Sequence, residues 1–318
     1  MVIKIFFAAL YAFIVINFLP ILNSIDSETY LYYAENSLGI VILRFSDGFF
    51  SFLMNEPLWL LINIALGILF ESAEFVVKTI GFLNAFLSIL IFLLFLETVK
   101  SRGWKYILIF MFCISPLILS NYVVNLRQGM ALNFFLLGLF FYYSGKKYWI
   151  IFLSPFVHSM FFIVLFLFFI SKFILLFKQK KILFYFLVVI FSLVFLVITQ
   201  SEMLTGFRQL TWEQETKGSG FFLYFWLIVL FYFIFFQKRL LSVRDINLSF
   251  FSVSIILFYI VSYSFFYGSG RILQALMVII LFSIIYLNSI GKFLFSLQFS
   301  SFILIDVFIR LGIEDYGF

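Results

Sequence analysis

Long apolar runs separated by short polar breaks dominate this chain. Residues 182–198 carry no charge and only Tyr185 and Ser192 as hydroxyl side chains, close to the ~20 apolar residues that a helix needs to cross a bilayer. Strands of a membrane barrel would instead alternate apolar and polar positions over ~10-residue segments. The pattern therefore predicts an all-α polytopic membrane protein, one integral domain over 1–318. Spans are expected at about 3–21, 77–97, 104–120, 128–144, 148–157, 159–176, 181–199, 220–237, 247–267, 271–290 and, weakest of all, 293–309, giving about eleven crossings. Residues 58–70 are apolar but too short, at ~1.5 Å per residue, to cross a ~30 Å core. They are expected as a helix lying on the external surface or dipping into it. The chain between Lys147 and Lys172 must go out and back in little length, so the turn at 155–159 is expected below that surface. Non-helical backbone at such depth is tolerated only against protein or a water-filled cavity, and His158, the only histidine, falls there.

Composition removes the soluble alternative. The chain is 65% hydrophobic and 11% charged, with a mean hydropathy of +1.18, whereas soluble domains are roughly half apolar and about a quarter charged. Lys4 before an apolar stretch imitates a signal peptide. No small-x-small cleavage site follows, only Pro20-Ile21-Leu22-Asn23, so a retained first span is expected. Cys113 is the single cysteine, which leaves no disulfide within the chain and no multi-thiolate metal site. The 53 phenylalanines are read as lipid-facing bulk.

Charge then orients the spans. Lys and Arg in short loops mark the cytoplasmic side. They cluster at Lys100, Arg102 and Lys105, at Lys146 and Lys147, from Lys172 to Lys181, and at Lys238, Arg239 and Arg244, with Lys4 and Lys292 as single charges. Acid-rich segments alternate with them, the first over 22–76, and the C-terminus is expected outside. In this threading the cytoplasmic basic residues are mostly lysine, while Arg44, Arg127, Arg208, Arg271 and Arg310 are external. Arginine's planar fork suits bidentate binding of phosphate or carboxylate.

Arg127 lies in Asn125-Leu126-Arg127-Gln128-Gly129 and Arg271 in Gly268-Ser269-Gly270-Arg271, each at the start of a span. Free backbone N–H groups and the helix dipole there already favour an anion, so each is a phosphate clamp or, more plainly, an arginine snorkelling to the interface. His158 is either a proton acceptor, with an unperturbed pKa near ~6.5, or a structural histidine between short helices. Asp26 shares a helical face with Tyr30 and Tyr33, a carboxylate with two rings suited to a sugar. Glu56 precedes Pro57 and is also explained as a helix-start charge. Asp26-x-Glu28 leaves metal binding open, though no metal is required. The loop over 199–220, with Arg208, Trp212, Glu213 and Glu215, is suited to cover a substrate or simply to connect two spans. No Walker-type glycine loop occurs and no nucleic-acid partner is expected.

Asp26-x-x-x-Tyr30-x-x-Tyr33, Glu56 opening a short helix, Arg127-Gln128-Gly129-x-Ala131, Gly145-Lys146-Lys147 and His158-Ser159 resemble, in order and spacing, the EpsG and Wzy-type polymerases of bacterial surface polysaccharides. Tyr316-Gly317-Phe318 resembles that family's ending, and Arg127 with Gly138 fits its arginine, ten residues, glycine pattern. The resemblance implies a GT-C-like membrane glycosyltransferase of the bacterial inner membrane. It would join undecaprenyl-diphosphate-linked oligosaccharide repeat units on the external face to build O-antigen, capsule or exopolysaccharide, with a chain-length regulator as a possible partner. It implies His158, Glu56 and Asp26 as catalytic, and Arg127, Arg271, Arg208, Gln128, Tyr30 and Tyr33 as substrate-binding. No cofactor is implied. The alternatives are a lipid-linked oligosaccharide flippase or other transporter and an O-antigen ligase.

Overall fold

The computed structural model describes residues 1–24, 26–99, 101–173, 181–199, 221–238, 243–264, 266 and 268–312. Among the described residues the regular structure is helical, and the one β feature is an isolated bridge between Gln237 and Leu287. In chain order the helices are α1 (Val2–Phe18), α2 (Ser27–Ser46), α3 (Phe49–Met54), α4 (Pro57–Leu69), α5 (Ala73–Phe95), α6 (Arg102–Ile114), α7 (Pro116–Val123) and α8 (Leu126–Tyr143). There follow α9 (Ser154–Val157), α10 (Phe161–Phe173), α11 (Lys181–Thr199), α12 (Phe221–Phe235), α13 (Val243–Ser262), α14 (Gly268–Ala275), α15 (Met277–Ser283) and α16 (Ser289–Gly312).

By length and hydropathy, three described stretches can each cross a bilayer: Ala73–Thr98, Arg244–Ser262 and Ser289–Asp306. Two further candidates are bent pairs, α6 with α7 at 50° and α14 with Met277–Tyr286 at 51°. The spans expected at 104–120 and 271–290 are thus broken rather than continuous. The first break follows from Pro116, which lacks an N–H and pushes Ser115 into extended backbone (φ −69°, ψ 115°) before a new helix starts.

Two further expectations change. Residues 148–157 form no crossing helix but a 3-10 turn, Trp149–Leu153, and the single turn α9. The cause lies in α8, where a Cβ on Gly138 would stand 2.8 Å from Ile151 Cβ and 2.9 Å from its backbone nitrogen. The returning chain packs directly on that glycine, and a 3-10 turn rises ~2.0 Å per residue against ~1.5 Å for an α-helix. A few residues therefore suffice to reach His158. The segment over 22–76 also holds the twenty-residue helix α2, whose scattered acids and hydroxyls hide its full length from a hydropathy scan.

The described contacts fall into two compact units, Met1–Phe162 with Ser301–Phe318, and Ile163–Ser300. In the first unit α5 is flanked by α1 and α8. Lys4 of α1 pairs with Glu97 just beyond α5, while Ile16 of α1 reaches Gly81, so the two helices are antiparallel. Helices α5 and α8 run side by side in the same direction, joined by a polar ladder. Asn84 Nδ2 donates to the Leu126 carbonyl (2.9 Å), Ser88 Oγ donates to Asn133 Oδ1 (2.7 Å), and Asn133 Nδ2 donates to the Asn84 carbonyl (3.2 Å). All three side chains are buried. Lipid tails are as apolar as leucine, so small residues and interhelical hydrogen bonds are what hold such helices together. Helix α7 wedges in from the side: the Tyr122 carbonyl would lie 2.9 Å from a Cβ on Gly81, and the Asn121 carbonyl would overlap one on Gly129. In the second unit α13 is central and contacts α11, α12, α14 and α15. Ser252 of α13 and Ser283 of α15 share a hydrogen bond of 2.6 Å.

Replacing Asn133 by Leu would strip Ser88 and Asn84 of their partner. A loss of about 1–2 kcal/mol is expected, and Gly129→Ala should cost about 1–3 kcal/mol through overpacking. Gly39→Ala, with nothing within 4 Å of its added Cβ, should cost nothing. Denaturant unfolding of the purified proteins in micelles measures all three.

Candidate functional site

Glu56 occupies the position before Pro57 at the start of α4, as its sequence context suggests, but it does not cap the helix. It holds φ 61°, ψ 50°, the only positive φ among described non-glycine residues. A left-handed conformation in such a residue costs about 1–3 kcal/mol and persists only where surrounding contacts impose it. Here they do, because the turn aims the carboxylate inward, away from the helix end. Arg44 of α2 stabilises the turn from the other side, donating to the Asn55 carbonyl and, at 3.4 Å, to the Tyr33 hydroxyl.

The buried carboxylate meets a guanidinium and an imidazole from distant parts of the chain. Arg127, second residue of α8, donates from Nη1 to Oε2 at 2.7 Å. His158, immediately after α9, has Nδ1 at 2.7 Å from Oε1, and the Ser159 N–H reaches the same oxygen at 3.4 Å. Backbone bonds fix His158 in turn, since its N–H donates to the Ser154 carbonyl (3.0 Å) and its own carbonyl accepts from the Phe161 N–H (2.9 Å). Burial pushes the Glu56 carboxyl up, but the Arg127 and His158 charges and their hydrogen bonds outweigh it and hold the group well below the usual carboxylate range.

Aromatic rings close one side. Tyr30 and Tyr33, both buried on one face of α2, lie under the Arg127 guanidinium at 6.0 and 5.3 Å from its carbon. Trp59, fully buried in the first turn of α4, meets them edge-on at 5.8 and 6.4 Å. Burial pushes the Tyr30 hydroxyl up to about 12 against the opposing pull of Arg127, so it remains a neutral group. Arg127 Nε and Trp59 Nε1 are buried donors that have no hydrogen-bond partner among the described residues.

The fold thus brings together Glu56, Arg127, His158, Tyr30 and Tyr33 of the residues singled out by sequence. Gln128 is buried beside Arg127 in α8. Asp26 is half-buried at the start of α2, close enough to Tyr30 to act on its hydroxyl, whereas Glu28 is exposed. No cluster of three or more potential metal ligands occurs among the described residues. Arg271 is the fourth residue of α14 in the second unit. Arg208, with Trp212, Glu213 and Glu215, lies outside the described residues. Trp59 and Arg44 were not singled out for chemistry. Trp59 had a signal, an aromatic three residues after Glu56 in an otherwise aliphatic helix, but Arg44 had none beyond its expected external position. Compared with protein-family models, curated proteins and solved structures, the chain matches none.

The clamp on Glu56 is directly measurable. A double-mutant cycle between Glu56→Gln and Arg127→Met should give a coupling of about 1–3 kcal/mol, and additive losses would show that the pair is not formed. The lowered carboxyl also fixes a pH window. Its contribution to stability is complete above the ordinary value of 4.5 and is lost as pH falls below that towards the folded-state value. Relative to Glu56→Gln, the wild-type unfolding midpoint should therefore fall only in acid, as read by unfolding at stepped pH.

Proposed function

We propose that this chain is a repeat-unit polymerase of bacterial surface polysaccharide, a glycosyltransferase using lipid-diphosphate-linked oligosaccharides at the external face of the inner membrane. The observation that carries this reading is the Glu56 carboxylate held between Arg127 and His158, because it supplies an oriented base beside a buried cation. With Glu56 accepting the Nδ1 proton of His158, the imidazole tautomer is fixed and Nε2 becomes the proton-accepting nitrogen. The acceptor sugar hydroxyl then attacks the anomeric carbon of the donor and its proton passes to Nε2. The bond from that carbon to the diphosphate oxygen breaks, and the lipid diphosphate leaves with the electron pair. A diphosphate needs charge stabilisation more than protonation, and fixed donors aimed at developing charge are commonly the largest catalytic contribution. Arg127 fits that role beside its hold on Glu56, and its Nε and Trp59 Nε1 are donors suited to an oxygen-rich ligand. Tyr30, Tyr33 and Trp59 suit the apolar face of a sugar ring.

The finer parts of the proposal rest on the resemblance and the charge pattern. They are a GT-C-like arrangement of many crossings, Asp26 as a second acid, Gln128 as a sugar contact, Arg271 and Arg208 as further anion contacts, and a chain-length regulator as partner. The three long apolar helices and two bent pairs are compatible with such a membrane protein.

The test is polymer formation by purified variants on lipid-linked repeats. His158→Gln retains a hydrogen bond but accepts no proton, so the rate should fall by about 10²–10⁴, while the exposed control Glu28→Gln should match wild type. Wild-type activity in His158→Gln would remove histidine from the mechanism. In a deletion strain, single repeats accumulating on the outer surface support a polymerase, and repeats trapped inside would make the chain a flippase instead.

A further inference from the structure

Helix α2 changes character halfway along. Its buried residues, Ser27, Tyr30, Tyr33 and Ser37, all fall before Leu38. In that first half the exposed positions are Glu28, Thr29, Tyr32, Glu35 and Asn36, the surface of an ordinary helix in water. Beyond Ser37 the large exposed side chains are Leu38, Ile42, Leu43 and Phe45, and α3 adds Phe49 and Phe50. Ile42 is 64% exposed and Phe50 76%. From Leu38 to Asn55 no residue is buried in the protein, although most of the stretch is helical.

Water does not sustain such a segment. Isolated helices shorter than ~12–15 residues are marginal in water, and α3 has six residues, none of them buried. Contiguous exposed apolar surface of this kind marks contact with a membrane or with another protein, and the polar side chains decide between the two. Arg44 is turned inward onto the Asn55 carbonyl and the Tyr33 hydroxyl. Ser46 Oγ donates to the Leu43 carbonyl (2.6 Å), and Asn55 Nδ2 donates to the Ser51 carbonyl (2.8 Å). Each of these groups is satisfied within α2, α3 and their junction, as a medium without hydrogen-bonding partners demands. A protein partner would instead be met by a polar rim. Asp47 is the one charge of this stretch left facing outward, in the turn between α2 and α3. It sets the depth: the turn lies at the level of the headgroups, and the flanking apolar side chains sink ~5–10 Å into the headgroup and acyl boundary, as in an amphipathic helix lying in the membrane plane.

We infer that the second half of α2, together with α3, is a lipid-binding surface lying in the bilayer interface, with phospholipid acyl chains against Leu38, Ile42, Phe45 and Phe50, while the first half of α2 stands in water. Asn55 and Glu56 follow directly, so the turn at Glu56 starts from the boundary between lipid and water. This surface holds whatever reaction the Glu56 site performs. The test uses the full chain with Cys113→Ala and one of Glu35→Cys, Ile42→Cys, Phe45→Cys or Phe50→Cys, labelled with the polarity-sensitive fluorophore NBD and reconstituted in phosphatidylcholine vesicles. Quenching is measured with phosphatidylcholine spin-labelled on its acyl chain, and separately with iodide on both sides of the membrane. Labels at positions 42, 45 and 50 should emit at shorter wavelength than the label at 35, be quenched by the spin-labelled lipid and resist iodide severalfold better. Iodide quenching as strong at those three positions as at 35 overturns the inference. Shielding from both quenchers also overturns it, because a protein would then cover this face. Should the Cys113→Ala chain fail to fold, a photoreactive benzophenone residue replaces Phe50 in the otherwise unchanged chain. A phospholipid adduct in mass spectrometry then supports the surface, and crosslinking to protein alone overturns it. Polymer formation is not part of the readout, so failure here leaves the Glu56 reading standing.

Discussion

A carboxylate buried in an apolar bundle is tolerable only when its charge is met, and Glu56 is met by the Arg127 guanidinium and the His158 imidazole. Taking one ion out of water costs several kcal/mol even after relaxation. The guanidinium of Arg127 and the imidazole of His158 must therefore both arrive within hydrogen-bonding distance. That demand reaches far beyond the three side chains. It requires α8 to begin beside α4, which the Asn84 bond to the Leu126 carbonyl secures from the α5 side. It also requires the chain after α8 to return within a few residues, which the bare surface of Gly138 allows. Arg44 and the left-handed turn at Glu56 complete the arrangement by aiming the carboxylate at its partners.

Such an ion cluster is a poor way to gain stability, since well-packed apolar residues of similar volume often do as well or better. Its strength lies elsewhere. Glu56 fixes which imidazole nitrogen carries the proton, and Arg127 keeps Glu56 ionised without neutralising the region beyond it. The rings of Tyr30, Tyr33 and Trp59 wall off one side of the guanidinium, so charge and apolar surface lie in immediate contact. Under the proposed function, that combination would suit a ligand carrying both phosphate and sugar.

Much of this site was legible in the sequence as a list, and little of it as a geometry. Arg127, His158, Glu56, Tyr30 and Tyr33 stood out because ionisable and aromatic groups are conspicuous in so apolar a chain. Their convergence did not, because hydropathy records how each segment meets lipid and says nothing of which segments meet one another. Glu56 illustrates the gap: its position before Pro57 fits an ordinary helix start, and only the backbone twist reveals where the carboxylate goes. Apolar stretches such as α5, α8 and α13 were read close to their observed limits. The helical face of Asp26, Tyr30 and Tyr33 was legible, but the full twenty residues of α2 were not, because their polar content keeps the segment out of a hydropathy scan. The 3-10 turn after Tyr148 escaped because the packing of Ile151 on Gly138 sets it, whereas the break at Pro116 had its signal in the proline itself. Asn84, Ser88 and Asn133 are inconspicuous one at a time and become a ladder only when α5 and α8 run in the same direction.

The separation of the Glu56 partners along the chain also has a meaning in time. Glu56 precedes Arg127 by 71 positions and His158 by 102. At roughly 5–20 residues per second of synthesis, about 4–14 s pass between the emergence of the carboxylate and that of its first partner. Through that interval the segment from α2 to α4 has neither Arg127 nor His158 to receive the carboxylate. It must wait in a wet or loosely docked state while α5 to α7 are laid down. The contacts that impose the turn at Glu56 can therefore be completed only after α8 and the chain to His158 have been made.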